Sequence, residues 1–578
     1  MNKEDIKNIL LDNKNVSDIV FLRDIPDLKN VYSFSISCSV IIDESIVPIY
    51  IGVSENWSQK LFDIYIKDYE QFPFIPHVEE KGKLCLYDLE GILVDTDFEG
   101  LLNTCIDRAI KIIYEGINRI NEEDFVKEFS SYWNKIKGGR FAKIVIPMNK
   151  KTSKIAYVED AINRRKKENY VTYWNRKRMS KIFISSNTMD FDLWNKKGTN
   201  KYASYILVKS DVLIMPPDFR NKLDASYFNK IFEKLDVEST KNVIDFNGQS
   251  KLFIFHVIQP NGIENIFSAI FENVEIDVIN SKYKIKNNPI ITPLYLERVD
   301  KPALVCRTNE ISQHVSKKVL LIGCGSIGSY FANELVKAGF ENITLVDKDL
   351  LCAENIYRHF LGIEYVDKYK ADALKNYFDK NIPNLSIVSK VQCIYELVQD
   401  EAIDFSDYDL VVSAVGNPNL NRFLNRFIIE KSINVPVMYL WNEPLDIGCH
   451  LALIKPEYKG CYDCFFKYDN NDELYDSTAF TQKGQIVTRN FSGCGGSFIP
   501  YGSTTSLKSA TLGMDYLVKL FDGTIKENIL VSLKGDGIYF KKAGFDTSNV
   551  YKEQTERERV VYGTNFLNGK CTICKGKA

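Results

Sequence analysis

Apolar and polar positions along the chain change rhythm twice. In the first stretch, short apolar runs sit between turn residues. Val31–Ile42, Pro48–Val53 and Leu61–Ile66 read as strands of a meander, and Glu99–Ile120 spaces its apolar residues as a helix does. From about 146 to 300 the rhythm weakens; Tyr205–Met215 and Lys251–Ile258 read as strands of a folded α/β linker. Beyond it the apolar runs become continuous. Val319–Ile322, Ile343–Val346 and Leu410–Val415 read as buried parallel strands, with an amphipathic stretch ending at Gly339 between the first two. Thr504–Phe521 again has helical spacing. The pattern predicts an α/β protein with units over 1–145, 146–300 and 301–578.

The 578 residues leave room for two to four domains, and a net charge of -2 excludes both a general polycation and an acidic tail protein. No apolar run reaches membrane-spanning length and no apolar leader opens the chain, so the expectation is a soluble cytoplasmic protein without a membrane partner. The 13 cysteines are scattered and paired only twice as CxxC, which points to reduced thiols with catalytic or metal roles. Ala161–Lys181 is basic with interleaved aromatics. It reads as a solvated helix packed on a neighbour rather than a nucleic-acid surface, because no binding module accompanies it. His256, Cys38 and Cys105 lie in apolar segments and read as core.

Chemistry enters at the first continuous run. Gly323, Gly325 and Gly328 separate a strand from a helix, and the next strand ends in Asp347, which is a dinucleotide-binding βαβ unit. That turn alone would also suit a nicotinamide-dependent oxidoreductase. Asp349, Asn355, Arg358 and Lys370 have no use in hydride transfer. Splitting a nucleoside triphosphate between its α and β phosphates does need such cations and carboxylates. The run Asp-x-Asp-x5-Asn-x2-Arg followed by a lysine resembles the adenylating enzymes of the ThiF, MoeB and ubiquitin-activating family, over roughly 300–578. The resemblance implies ATP, with the three glycines at its phosphates, Asp347 at its ribose, and Arg358 and Lys370 on the phosphate charge. It implies magnesium as well, but Gly416 stands where the family usually places an aspartate ligand, leaving Asp349 or an acid from elsewhere to hold the ion.

Cys461 and Cys464, with Cys571 and Cys574 about a hundred residues later, offer four thiolates at the spacing of a structural zinc site. Between the pairs, Gln482–Ser503 lacks apolar periodicity and carries Cys494 among glycines. Ubiquitin-activating relatives place there the cysteine that accepts the acyl group. Near the N-terminus, Phe72–Leu86 is a Pro- and Gly-rich loop bearing His77 and Cys85. It resembles the active-site segment of ubiquitin-conjugating enzymes, with Pro76 retained, His77 at the family's asparagine and Ile75 at its histidine. A histidine at that position can donate a hydrogen bond to an oxyanion and can titrate near neutral pH. Glu128–Trp133 also looks like the bacterial conjugating-like domains.

Together the resemblances imply an N-terminal α+β ubiquitin-conjugating-like domain, an α/β linker and a C-terminal Rossmann-like adenylation domain with a zinc knuckle. This order is similar to the activating–conjugating fusion proteins of bacterial CBASS antiphage operons. It implies a homodimer that activates the C-terminus of a CD-NTase, a cyclic-oligonucleotide synthase, and joins it to an amine on a protein or small molecule. A nicotinamide oxidoreductase or a catalytically dead nucleotide-binding scaffold stays open; ATP–pyrophosphate exchange separates them.

Overall fold

A computed structural model describes residues 3–43, 45–87, 97–147, 150–159, 182–187, 189–194, 196, 200–240, 250–306, 314–383, 385–490 and 497–575. The basic stretch Ala161–Lys181 and Cys494 lie outside these residues. The chain divides into two compact units, Met1–Asp300 and Lys301–Ala578.

The first unit opens with helix α1 (Lys3–Asp12) and a four-stranded antiparallel meander, β1 (Val16–Leu22), β2 (Phe34–Ile42), β3 (Ser45–Val53) and β4 (Asp63–Ile66). Alternate residues of β2, Ile36, Cys38, Val40 and Ile42, turn inward onto helix α2 (Phe98–Ile117), whose Leu102, Cys105, Ile106 and Ile113 meet them in one core. Asp97 caps α2 by accepting the Gly100 N–H at 2.9 Å. Two short helices follow, α3 (Glu122–Lys127) and α4 (Phe129–Trp133).

The expected α/β linker takes the form of a closed barrel. Its strands are β5 (Arg140–Ile144), β6 (Ser153–Glu159), β7 (Ile182–Ser185), β8 (Lys201–Lys209), β9 (Ser250–Ile258), β10 (Glu264–Glu272) and β13 (Ile290–Arg298), in the order β10-β13-β5-β7-β6-β8-β9. Helix α5 (Ala225–Phe232) and the hairpin of β11 (Ile276–Ile279) and β12 (Lys282–Ile285) pack with α3 and α4 in an aromatic core outside it. The strand expected at Tyr205–Met215 lies a few residues earlier, at β8. His256 is fully buried, hydrogen-bonds Tyr205 and Glu264, and has its pKa lowered by burial against the upward pull of Glu264.

The second unit is an eight-stranded sheet in the order β16-β15-β14-β17-β18-β19-β24-β25. Parallel neighbours are β16 (Ser386–Lys390), β15 (Asn342–Val346), β14 (Lys318–Ile322), β17 (Leu410–Ser413) and β18 (Val437–Asn442). Antiparallel strands β19 (Gly448–Ile454), β24 (Ile529–Lys534) and β25 (Glu558–Tyr562) complete it. Along β14, Val319 and Leu321 join one core while Leu320 and Ile322 join another on the opposite face. A strand buried on both faces has no polar position, which is why its run is unbroken. Helices α6 (Ser326–Lys337), α7 (Lys370–Asn381), α8 (Pro418–Glu430) and α9 (Ser503–Phe521) flank the sheet. Hairpins β20 (Phe466–Tyr468) with β21 (Leu474–Asp476), and β22 (Arg489–Asn490) with β23 (Ser497–Phe498), lie outside it.

Candidate functional site

Cys85 is exposed at the end of its loop. Ile75, Val78, Leu84 and Leu86 bury their side chains, and Leu84 donates its N–H to Ile64 O of β4 at 2.8 Å, so the thiol between Leu84 and Leu86 faces outward. His77 adopts a left-handed φ of 62°, and its carbonyl accepts the Cys85 N–H at 2.8 Å. The His77 N–H donates to the Tyr132 hydroxyl at 2.7 Å, and that hydroxyl donates to Glu128 at 3.0 Å. The imidazole lies between two carboxylates: Nδ1 is 3.2 Å from Glu128 Oε1, and Nε2 is 3.2 Å from Asp124 Oδ2.

The Glu128 hydrogen bond raises the His77 pKa by more than burial lowers it. Glu128 is lowered chiefly by His77; at Asp124, burial pushes upward, but hydrogen bonds from Lys127 and His77 outweigh it. The two carboxylates thus favour the protonated ring, and both ring nitrogens face them rather than Cys85. A cleft of about 790 Å³ opens here, lined by Cys85, His77, Lys83, Arg108, Glu128 and Ser131 among others. Asp124 was not legible as a partner of His77, and Glu128 and Tyr132 were visible only as part of the Glu128–Trp133 motif.

In the second unit, β14 turns into α6 through Gly323, whose φ of 91° suits glycine. A Cβ on Gly328 would lie 1.8 Å from Gly323 O, whereas one on Gly325 would meet nothing within 4 Å. The turn is therefore packed at Gly328 and open at Gly325, a cradle that a methyl group would fill. Asp347 accepts from Cys324 N–H at 2.7 Å and Asp349 N–H at 2.8 Å, and burial raises its pKa. Lys370, at the start of α7, places Nζ 3.5 Å from Asp349 Oδ2 and donates its N–H to Asp349 O at 2.9 Å. Asn355 closes a turn by accepting the Cys352 N–H at 3.1 Å. The Arg358 guanidinium stands 5.6 Å from the ring centre of Phe498 and 5.4 Å from that of Tyr501, whose hydroxyl is 2.8 Å from Ser326 Oγ.

Buried His359 was missed in the sequence. Leu361 N–H donates to its Nδ1 at 3.0 Å, so the proton sits on Nε2, which donates to Cys324 O at 2.8 Å. Burial pushes its pKa down to about 4, keeping this brace of the glycine turn neutral. At Gly416 (φ 63°) there is no side chain, so the position expected to carry a magnesium aspartate offers no ligand. One carboxylate plus substrate phosphates is a common magnesium environment.

Cys461, Cys464, Cys571 and Cys574 hold their sulfurs within 4.8 Å of one another, with 461–464, 461–571 and 464–574 separations of 3.9, 3.7 and 3.5 Å. A tetrahedron of thiolates with metal–sulfur bonds of about 2.3 Å has edges of about 3.8 Å, so the donor set and its spacing fit zinc. Neighbouring Asp463 is fixed by Arg422 and Asn425, each at 2.8 Å. The Cys494 segment leaves at Asn490 and returns at Ser497, two residues that pair with each other.

An adenylation-type glycine turn and a loop cysteine on a meander-and-helix domain define the class: residues 304–541 match the ThiF family, and residues 27–141 match prokaryotic E2 family B. The chain thus carries one domain of each family. It is 26% identical over 261 residues to the ATP-dependent ubiquitin transferase-like protein Cap2 of Pseudomonas aeruginosa, a match covering 44% of this chain and 45% of that protein. The chain thus aligns with less than half the length of that relative. Cap2 of Escherichia coli is 22% identical over 509 residues, covering 79% of this chain and 82% of the relative. The NEDD8-activating enzyme E1 catalytic subunit of Schizosaccharomyces pombe is 25% identical over 154 residues, covering 26% and 33%.

Proposed function

We propose that this protein activates the C-terminal carboxylate of a partner protein with ATP and conjugates it to an amine by way of two thiols. The partner carboxylate attacks the α-phosphorus and releases pyrophosphate, leaving an acyl-adenylate. The Cys494 thiolate attacks the acyl carbon and AMP leaves. Cys85 then takes the acyl group, returning the Cys494 thiolate, and an amine attacks the Cys85 thioester to give an amide and the free thiolate. Each thioester divides one hard displacement into easier ones.

The observation that carries this reading is the open face at Gly325, next to the Cys324 N–H that Asp347 accepts, with Asp347 bonded in turn to Asp349 and Asp349 paired with Lys370. Gly323, Gly325 and Gly328 form the cradle for the ATP phosphates at the N-terminus of α6; Asp347 takes the ribose; Arg358 and Lys370 carry the phosphate charge, and Asn355 holds the Arg358 segment. Asp349 holds magnesium together with those phosphates. Zinc in the four-cysteine cluster ties the C-terminal residues to the body of the unit. The relatives named Cap2 and NEDD8-activating enzyme support the class of reaction, and the resemblance to CBASS fusions supports a CD-NTase as partner, with the protein acting as a cytoplasmic homodimer.

Partner-dependent ATP–pyrophosphate exchange tests the first step. Arg358→Ala should reduce exchange by about a hundredfold or more, as losing a charge on a transferring phosphoryl group does, while the melting temperature stays unchanged. Full exchange in that variant would overturn the assignment.

A further inference from the structure

The conjugating-type loop and the barrel share more than a chain connection. Arg220, in the segment between β8 and α5, has a side chain only 11% exposed. Its Nη1 donates to two carbonyls of the loop that leads to Cys85, Tyr69 O at 2.5 Å and Phe72 O at 2.9 Å. Asp218 grips the same guanidinium from behind, Oδ1 to Nε at 2.9 Å and Oδ2 to Nη2 at 2.7 Å. The guanidinium also lies 5.8 Å from the ring centres of Tyr69 and Phe74. Tyr69 O also accepts the Phe72 N–H at 3.0 Å, so the guanidinium adds a second donor to a local turn and ties that turn to the segment after β8. Arginine's planar fork suits two carbonyls and a carboxylate at once, where a lysine offers a single point.

A second hold runs through α3 and α4. Trp133 Nε1 donates to Leu294 O of β13 at 3.0 Å, Phe129 stacks on Phe267 of β10 at 4.9 Å while Trp133 packs against the same ring, tilted, at 4.7 Å, and Asn265 donates to Val126 O at 2.7 Å. These helices bring Asp124, Glu128 and Tyr132 to His77. Phe74 joins the two holds, its ring 4.6 Å from Phe125, 5.7 Å from Tyr132 and 5.9 Å from Phe219. The barrel thus anchors both sides of the His77 contact: the loop on one side and the carboxylates on the other.

We propose that the barrel is a working part of the Cys85 site, and that Arg220 is a positioning residue which sets the Phe72–His77 backbone for chemistry at that thiol. This rests on the assignment of Cys85 as an acyl carrier. Arg220 touches neither thiol nor substrate; it acts through the loop carbonyls.

The test uses the full chain with Arg220→Ala and, in case alanine unsettles the fold, Arg220→Lys. Amide hydrogen exchange is read at His77 and Cys85, and discharge of the Cys85-linked partner to an amine is read beside pyrophosphate exchange. With Arg220→Ala we expect exchange at both amides to quicken about tenfold and kcat for discharge to fall about tenfold with little change in KM, the loss expected for a charge-assisted hydrogen bond. Pyrophosphate exchange should remain at the wild-type rate. Added guanidinium ion should restore discharge to Arg220→Ala, and Arg220→Lys should recover little of it. Unchanged amide exchange, or faster amide exchange with unaltered discharge, would overturn the proposal. Failure of the wild type to load Cys85 would instead refute the acyl-carrier reading, and the amide exchange would still decide whether the barrel holds the loop.

Discussion

Two histidines at the candidate sites have pKa values shifted in opposite directions, and each leaves a signature in stability against pH. Glu128, with Asp124 beside it, raises the pKa of His77 in the folded chain above the ordinary 6.5. Its contribution is complete below that value and is lost as pH rises through the folded pKa. His359 behaves in the reverse sense. Its folded pKa of about 4 lies below the ordinary 6.5, so acidification favours the unfolded chain across that window, by about 3 kcal/mol at most. Melting curves against pH should show His77→Gln removing the loss on the alkaline side and His359→Gln removing the loss on the acid side. Curves of either variant running parallel to wild type would refute its shift. Neither behaviour was readable from the chain, because His77 meets Asp124 47 positions away and His359 meets Cys324 35 positions away, contacts that only the fold creates.

At the scale of elements, the glycine turn separates two kinds of requirement. Gly328 is needed for packing, since a Cβ there would collide with Gly323 O at 1.8 Å, whereas Gly325 faces open space. Gly328→Ala should lower the melting temperature of the second unit and abolish nucleotide binding together. Gly325→Ala should melt with wild type yet weaken ATP binding at least tenfold, because the methyl occupies the space assigned to phosphate. Calorimetric titration with ATP reads both, and wild-type affinity in Gly325→Ala would remove the phosphate from that position. The cysteine cluster makes a parallel case. Elemental analysis should find one zinc per chain, and Cys571→Ser or chelation should lower the melting temperature, because an ion held there would join residues 571–574 to the turn at 461–464. A metal-free chain of undiminished stability would refute it. These elements were legible for a physical reason. β14 is buried on both faces and reads as an unbroken apolar run, and CxxC pairs advertise their ligands by local spacing. Of the barrel strands, β9 was read as Lys251–Ile258 and β8 only in part, under Tyr205–Met215; β5 (RFAKI) and β6 (SKIAYVE) were not read, because they interleave lysine, arginine and glutamate with apolar residues.

At the scale of the whole molecule, the chain assigns its two candidate thiols to different units: Cys85 to Met1–Asp300, and Cys494, by position, to Lys301–Ala578. Among the described residues no helix is long and apolar enough to cross a membrane. A relay across two units makes a prediction about order that neither unit makes alone. Cys494→Ala removes the first acceptor, so the enzyme should still form adenylate and exchange pyrophosphate, but no thiol-sensitive adduct should reach Cys85. Cys85→Ala should stop one stage later, trapping the partner on Cys494 without amide product, and Cys85→Ser should hold it as a more stable ester. Because both ring nitrogens of His77 face carboxylates, its substitution should act through the loop rather than by removing an oxyanion donor. His77→Gln, which keeps a donor but loses the imidazole, should then slow discharge about as much as His77→Ala. If glutamine restores discharge where alanine does not, the direct donor role stands. If Cys85→Ala conjugates the partner at the wild-type rate, the first unit recruits rather than carries, and the two-thiol route is wrong.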